Sequence, residues 1–252
     1  MIEPDWDEEI ADGPDYLAPT TVDEALRLLA KHGDEAKIVA GAQSLSVFLR
    51  QGLIAPSHLI GLKQIPELAE IAPTADGGLV IGAMVTQHAI ETSPLVRSRF
   101  PALAEAAATV ASPLVRRQGT LGGNLCHSDP TGDPPAALVA LGAEVEIASL
   151  AGRRRLPVEE LARDYMETVL EPDELLVAVH LPAPPLRSGS AYRKHRLRGV
   201  DTAIVGAGVG LTLADDGEIC LDARIGLVGV GITPERSRAA EEVLRGQKLT
   251  DE

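Results

Sequence analysis

The chain has 252 residues, a formal net charge of −14, two cysteines and 2% aromatic residues. So much negative charge excludes a nucleic-acid partner, whose phosphates demand cations, and the scarcity of rings removes a base-stacking platform. Cys126 and Cys220 lie far apart and outside any CxxC pair or His cluster, which excludes zinc or an iron–sulfur cluster held by this chain and leaves reduced thiols. The length suits one large domain or two to three subdomains. No apolar run is long enough to span a bilayer and no signal peptide precedes the first element, so a cytoplasmic protein is expected.

In chain order, residues 1–13 read as an acidic tail carrying Glu3, Asp5, Asp7, Glu8, Glu9 and Asp12. Thr21-Val22-Asp23-Glu24 is a capping box that opens a helix over 25–31, and Gly33 stops it. A short strand at 37–40, a turn at 41–43, a helix at 45–51 capped by Ser44 and a strand at 58–62 form a β-α-β unit. Asp76-Gly77-Gly78 signals a hairpin between strands at 70–72 and 79–82, and residues 86–91 and 102–111 read as helices. Gly119 to Asp133, GTLGGNLCHSDPTGD, reads as a tight loop, with Asp133 as N-cap and Pro134 in the first turn of a helix ending at Leu141. Strands follow at 144–148, 153–156 and 175–181. The proline-rich segment 182–185 marks a boundary, beyond which lie strands at 191–196, 203–213 and 219–228 and a helix at 234–245.

Two glycine-bearing segments carry the chemistry. In Ala40-Gly41-Ala42-Gln43-Ser44-Leu45 a strand hands the chain to a helix N-terminus, where free amides and the helix dipole favour an anion. An ordinary strand-to-helix turn with one glycine is the other reading. In Thr120-Leu121-Gly122-Gly123-Asn124, adjacent glycines present bare amide donors that a phosphate can approach, whereas a structural turn needs only one such residue. Two such loops fit a dinucleotide better than one. The glycines of Gly206-Ala207-Gly208-Val209-Gly210 are not a Rossmann fingerprint, because Leu211-Thr212-Leu213 continues a strand instead of opening a helix; they permit close backbone approach. Arg193, Lys194, His195, Arg196 and Arg198 form a basic cluster, either a solvated strand face or a contact for a cofactor phosphate or an acidic partner. Cys126 and His127, neighbours in an extended segment, point to opposite sides, so no thiolate–imidazole nucleophile is expected. No catalytic acid–base set and no metal ligands stand out.

Taken together, Tyr16-Leu17-Ala18-Pro19-Thr20-Thr21, Asp23-Glu24-Ala25-Leu26, the run from Ile38 to Leu45, Ile81-Gly82-Ala83, Gly119 to Asp133, Ala191-Tyr192-Arg193-Lys194 and Asp201-Thr202-Ala203 resemble, block by block, the FAD-binding medium subunit of the molybdenum hydroxylases. That group contains carbon monoxide dehydrogenase and xanthine dehydrogenase. The resemblance implies an α+β fold: a PCMH-type FAD-binding domain over 14–182, in two α+β subdomains at about 14–66 and 67–182, then a smaller C-terminal α+β domain at 186–252. It assigns Gly41, Ala42, Gln43 and Ser44 to the FAD diphosphate, with Ile38, Val39, Ala40 and Leu45 beside them. Thr120, Gly122, Gly123, Asn124 and Asp133 complete the cradle, Leu176 and Lys194 line it, and Asp201 approaches the isoalloxazine edge.

The same resemblance implies a heteromer, a dimer of heterotrimers. A large subunit with molybdopterin hydroxylates the substrate, and [2Fe-2S] clusters on an iron–sulfur small subunit carry electrons to FAD on this chain, which passes them to an external acceptor. A free-standing flavin oxidoreductase of this fold and a flavin-free scaffolding subunit are the alternatives. Ala42 stands where the family often has glycine, so a positive φ there carries strain. Thr202 stands where many members carry an aromatic residue, and the chain ends several dozen residues before the usual family C-terminus.

Overall fold

Three sheets, joined by short helices, make up most of the computed structural model, which describes residues 13–215 and 217–249. The acidic tail read at 1–13 lies outside the described residues, Gly13 excepted. The first sheet is parallel, in the order Asp15–Leu17, His58–Gly61, Ala36–Val39. The helix Val22–His32 covers it with Val22, Ala25, Leu26 and Leu29, whose spacing of three and four puts them on one face. Its capping box is offset by one residue. Thr21 Oγ1 accepts from the Glu24 N–H at 3.1 Å, but Glu24 Oε2 accepts from the N–H of Thr20, at 2.8 Å. The helix Leu45–Arg50 follows the strand Ala36–Val39. Ser44 does not cap it, because Ser44 is itself in the helical region (φ −94, ψ −43) and its side chain cannot turn back onto the first amides.

The second sheet is antiparallel, in the order Ile71–Pro73, Leu79–Gly82, Leu175–Leu181, Glu144–Ser149, Gly152–Pro157. Its buried face, with Leu79, Ile81, Val145, Ile147 and Val179, packs in one core with Ile90, Leu103, Leu121 and Leu138 from the helices. Removing such a side chain from water stabilises the fold by about 1.5–3 kcal/mol. On this sheet Glu146 accepts from Arg153 at 2.8 Å, Arg155 at 3.0 Å and His180 at 2.8 Å. Burial alone would raise its carboxyl, but these three donors outweigh that and hold it below the usual carboxylate range. The helices Pro94–Arg99 and Pro113–Gln118 had no signal beyond a serine N-cap and a first-turn proline; six residues are less than two turns of period.

The third sheet is antiparallel, in the order Ser188–His195, Val205–Leu213, Cys220–Val228, Glu235–Arg236. Its inner face rests on the helices Pro101–Thr109 and Asp133–Ala140. A Cβ on Gly208 would stand 2.5 Å from the Ala136 carbonyl oxygen, and one on Gly210 2.5 Å from that of Ala140. These strand glycines therefore let sheet and helix backbones touch, as their sequence context required. The last helix is Arg238–Leu244, shorter than the 234–245 expected, because Glu235–Arg236 is drawn into the sheet against Gly226 and Leu227. Among the described residues no helix is long and apolar enough to cross a membrane.

Candidate functional site

A cleft of about 520 Å³ opens where the end of the strand Ala36–Val39, the start of Leu175–Leu181 and the Lys194 end of Ser188–His195 converge. Fifteen of the sixteen residues assigned from the resemblance line it; Val39, paired with Gly61 in the first sheet, does not. Gly41 and Lys194, 153 positions apart in sequence (194 − 41), thus line one cleft.

The first loop presents donors. Ala42 sits at φ +55, the left-handed region, and the chain turns there into the helix Leu45–Arg50. Carbonyls of this turn start the helix: Ser46 N–H donates to Ala42 at 3.0 Å and Val47 N–H to Ser44 at 3.0 Å. Among the described residues, the N–H groups of Ala42, Gln43, Ser44 and Leu45 reach no acceptor. Four successive unengaged amides beside a cleft form an anion-binding concavity. The left-handed alanine is strained by about 1 kcal/mol. Ala42→Gly is therefore expected to raise the melting temperature in calorimetry without weakening ligand retention. A lower melting temperature would show that the turn is not strained.

The second segment differs from its reading as a loop with bare amides. Thr120 caps a helix, Leu121–His127, its Oγ1 accepting from the Gly123 N–H at 3.1 Å. Gly122 N–H donates to Ala83 at 2.8 Å and Leu121 N–H to Val85 at 2.9 Å. The glycine amides are thus engaged within the protein. Gly122 serves close packing, since a Cβ there would stand 2.6 Å from Ala83 Cβ. The polar group this helix brings to the cleft is Asn124, whose Oδ1 is buried and has no hydrogen-bond partner among the described residues. Gln87, which the sequence did not mark, lines the same wall; its Nε2 donates to the Thr120 carbonyl at 3.3 Å and its Oε1 is likewise unpartnered.

Asp133 is not an N-cap. It is the first residue of the helix Asp133–Ala140, Gly132 holds the cap position, and no side chain caps it. The carboxylate is instead taken up by the third sheet: Oδ1 accepts from the Tyr192 hydroxyl at 2.6 Å and Oδ2 from Lys194 Nζ at 2.8 Å. Burial and the Asp133 charge push the Tyr192 hydroxyl up, so it stays a donor. Lys194 also donates to the Thr109 carbonyl at 3.2 Å, and its side chain is only 2% exposed. The basic cluster is therefore divided. Lys194 is a buried cation on the cleft wall, whereas Arg193 is exposed and pairs with Glu105 at 3.0 Å.

Cys126 and His127 are helical rather than extended, and both line the cleft. Cys126 is exposed on the cleft, and desolvation by the surrounding protein pushes its thiol up to about 12; burial also lowers His127. A protonated thiol beside a neutral imidazole is a poor nucleophile. Among the described residues no three His, Cys, Asp or Glu side chains gather as a metal site. Val200, Asp201 and Thr202 reach the cleft from the segment between the strands Ser188–His195 and Val205–Leu213. Of the lining residues missed by sequence, Phe48 had a signal: it lies one turn from Leu45 on the same helix face. Val110, Ala111 and Val115 had none.

Residues 9–184 match the FAD binding domain in molybdopterin dehydrogenase, and residues 190–252 match the CO dehydrogenase flavoprotein C-terminal domain. The chain is 40% identical over 236 residues to the 6-hydroxypseudooxynicotine dehydrogenase complex subunit alpha of Paenarthrobacter nicotinovorans, covering 94% of this chain and 79% of that one. It is 38% identical over 239 residues to the carbon monoxide dehydrogenase medium chain of Afipia carboxidovorans, covering 93% and 81%. The solved carbon monoxide dehydrogenase from Hydrogenophaga pseudoflava that lacks the Mo-pyranopterin moiety superposes with a TM-score of 0.90 at 36% identity, over 95% of this chain and 82% of that one. These matches run through both parts of the chain and through both walls of the cleft, so the chain belongs to the FAD-binding medium subunits of the molybdenum hydroxylases, the flavoprotein oxidoreductase subunits of the carbon monoxide and xanthine dehydrogenase type.

Proposed function

We propose that this chain holds FAD in the cleft and serves as the electron exit of a cytoplasmic molybdenum hydroxylase. In that role it receives electrons from [2Fe-2S] clusters on a small subunit, while the substrate reacts at molybdopterin on a large subunit. The observation that carries the reading is the row of unengaged amides at Ala42, Gln43, Ser44 and Leu45 on a cleft that also holds the buried Lys194. A diphosphate is an acceptor-only dianion and needs donors of both kinds.

The residues present fit FAD. The four amides offer N–H donors, and Lys194 has three N–H bonds, of which Asp133 and Thr109 take two. Asn124 Oδ1 is an acceptor and cannot serve a phosphate; it suits a hydroxyl or N–H donor, which the ribityl and ring portions of FAD carry. The apolar lining from Ile38, Leu45, Phe48 and Leu176 shields a flat ring system from water. When bound, FAD supplies the redox chemistry that no side chain here can perform. The protein binds, orients and shields it. Partners follow from the same reading, because a module with no substrate chemistry of its own needs a donor subunit, and the relatives are subunits of complexes.

The deciding experiment is a visible absorption spectrum of the purified chain before and after incubation with FAD, with the released cofactor identified. An oxidised-flavin spectrum is expected. A folded chain that takes up no flavin would overturn the reading in favour of a scaffolding subunit. Asn124→Ala sharpens the test. Deleting a buried, unpartnered acceptor removes a desolvation penalty of about 1–3 kcal/mol, so the FAD-free protein should be no less stable, while FAD affinity falls. Equal loss of stability with and without FAD would assign Asn124 a purely structural role.

A further inference from the structure

At the opposite end of the helix Asp133–Ala140 lies a second cleft, of about 300 Å³, that the flavin reading leaves unused. Its origin is geometric. The helix has eight residues and the strand Val205–Leu213 beneath it has nine, but a helix rises about 1.5 Å per residue and a strand about 3.3 Å. The helix therefore stops while the sheet runs on, and the uncovered end of the inner face becomes the floor. Phe100, Pro101, Leu141 and Pro182 give the cleft apolar walls.

Two arginines line it, Arg99, whose guanidinium lies 5.6 Å over the Phe100 ring, and Arg224, and both residues are partly buried. Among the described residues neither lies within ion-pair distance of a carboxylate, and neither donates a hydrogen bond. The acidic groups nearby are otherwise engaged. Asp222 lines the cleft but is bound by Arg245 Nε at 3.0 Å, and Asp76 feels Arg99 while hydrogen-bonding Thr74 and the Gly78 N–H. Arg224 is not needed to cap the helix either. The carbonyls of Ala137, Leu138 and Val139 are already taken by the N–H groups of Leu141, Ala143 and Gly142 at 3.0–3.1 Å. Arg224 is nonetheless accommodated closely: a Cβ on Gly142 would stand 2.5 Å from its Nη1. The Ser190 hydroxyl accepts from the Ala102 N–H at 3.3 Å, and its O–H and that of Thr212 donate to no other group among the described residues.

In a chain of net charge −14, a concave site with two arginines that lack an ion-pair partner among the described residues, hydroxyl donors and apolar walls is a local exception built for negative charge. We propose that this cleft binds a small organic anion, a carboxylate or phosphate on a compact apolar body, read by Arg99 and Arg224. Guanidinium groups match both oxyanions in a planar, two-pronged geometry, and the volume suits a small metabolite.

The test is calorimetric titration of the full chain with benzoate and, separately, with inorganic phosphate, in excess FAD so that the first cleft does not compete. Arg99→Gln and Arg224→Gln, neither of which touches the flavin cleft, are titrated in parallel and checked by thermal melting. Saturable binding of one probe, weakened about tenfold or more by each substitution at unchanged melting temperature, is expected. The preferred probe names the anion class. No saturable binding of either probe to the native chain, or binding that both variants retain in full, would overturn the proposal. Should one variant fold poorly, the other arginine decides.

Discussion

Asp133→Ala is expected to destabilise the protein by about 3–5 kcal/mol, the range for breaking a buried ion pair by removing one partner. The carboxylate is 4% exposed and binds two groups of the third sheet, so its loss strands both. The Lys194 ammonium would remain buried without its counter-charge, and the hydroxyl of Tyr192, one of the largest fully buried side chains, would lose its acceptor. A capping residue would behave differently, since alanine at an N-cap costs about 1 kcal/mol. Urea denaturation separates the two roles: a loss near 1 kcal/mol would return Asp133 to a cap. The double variant Asp133→Ala/Lys194→Met supplies the control, because removing the charge along with its partner should restore part of the loss. Tyr192→Phe should cost only about 1 kcal/mol, one hydrogen bond's worth.

The same three residues couple the sheet to the cleft. Lys194 holds the Thr109 carbonyl, and the turn that follows, with Ala111 at φ +38, forms part of the cleft wall. FAD affinity should therefore fall in Asp133→Ala as well, even where the protein still folds.

Gly41→Ala is expected to weaken FAD binding by roughly tenfold to a hundredfold, which corresponds to about 1.4–2.8 kcal/mol. At Gly41 the two arms of the cleft touch backbone to backbone. A Cβ there would collide with the Gln118 carbonyl oxygen and stand 2.8 Å from both Gln118 C and Gly119 Cα. None of these atoms can rotate away. Gly119 is further pinned by the Gln87 N–H, which donates to its carbonyl at 2.9 Å. The first loop must therefore move, carrying the amides of Ala42 to Leu45 with it, and overpacking of this kind costs about 1–3 kcal/mol. Flavin fluorescence titration reads the effect. Gly41→Ala and Ala42→Gly, adjacent single-carbon changes, should act in opposite directions on stability. Native FAD affinity in Gly41→Ala would mean that the first loop does not hold the cofactor.

Much of this protein was legible in its sequence, for local reasons. The helix Val22–His32, the hairpin at Asp76-Gly77 and the strand Leu175–Leu181 are each specified by periodicity or turn chemistry within a dozen residues. The glycine strand at 205–213 could be told from a Rossmann turn by the alternation that follows it. Nearly every residue assigned from the sequence lines the cleft, because the ordered blocks of a known family mark positions even where they do not reveal what each residue does.

Roles were what the sequence left open. Gly122 and Gly123 looked like donors for a ligand, but their amides find Ala83 and Thr120, and only the fold brings Ala83 there. Asp133 preceded a proline in the pattern of a helix cap; its partners, Tyr192 and Lys194, lie some sixty residues away and are invisible to any local rule. Lys194 read as one of five basic residues on a solvated face or at a cofactor or partner contact, and only packing shows that its side chain is buried against Asp133. The second cleft exists only because helix and strand advance at different rates per residue. Hydrogen-bond capacity, backbone preference and periodicity are properties of short segments, so the sequence by itself determined most of the elements and the family. Which donor is already engaged, and which charge is removed from water, depends on atoms distant in the chain, and that the tertiary structure alone decided.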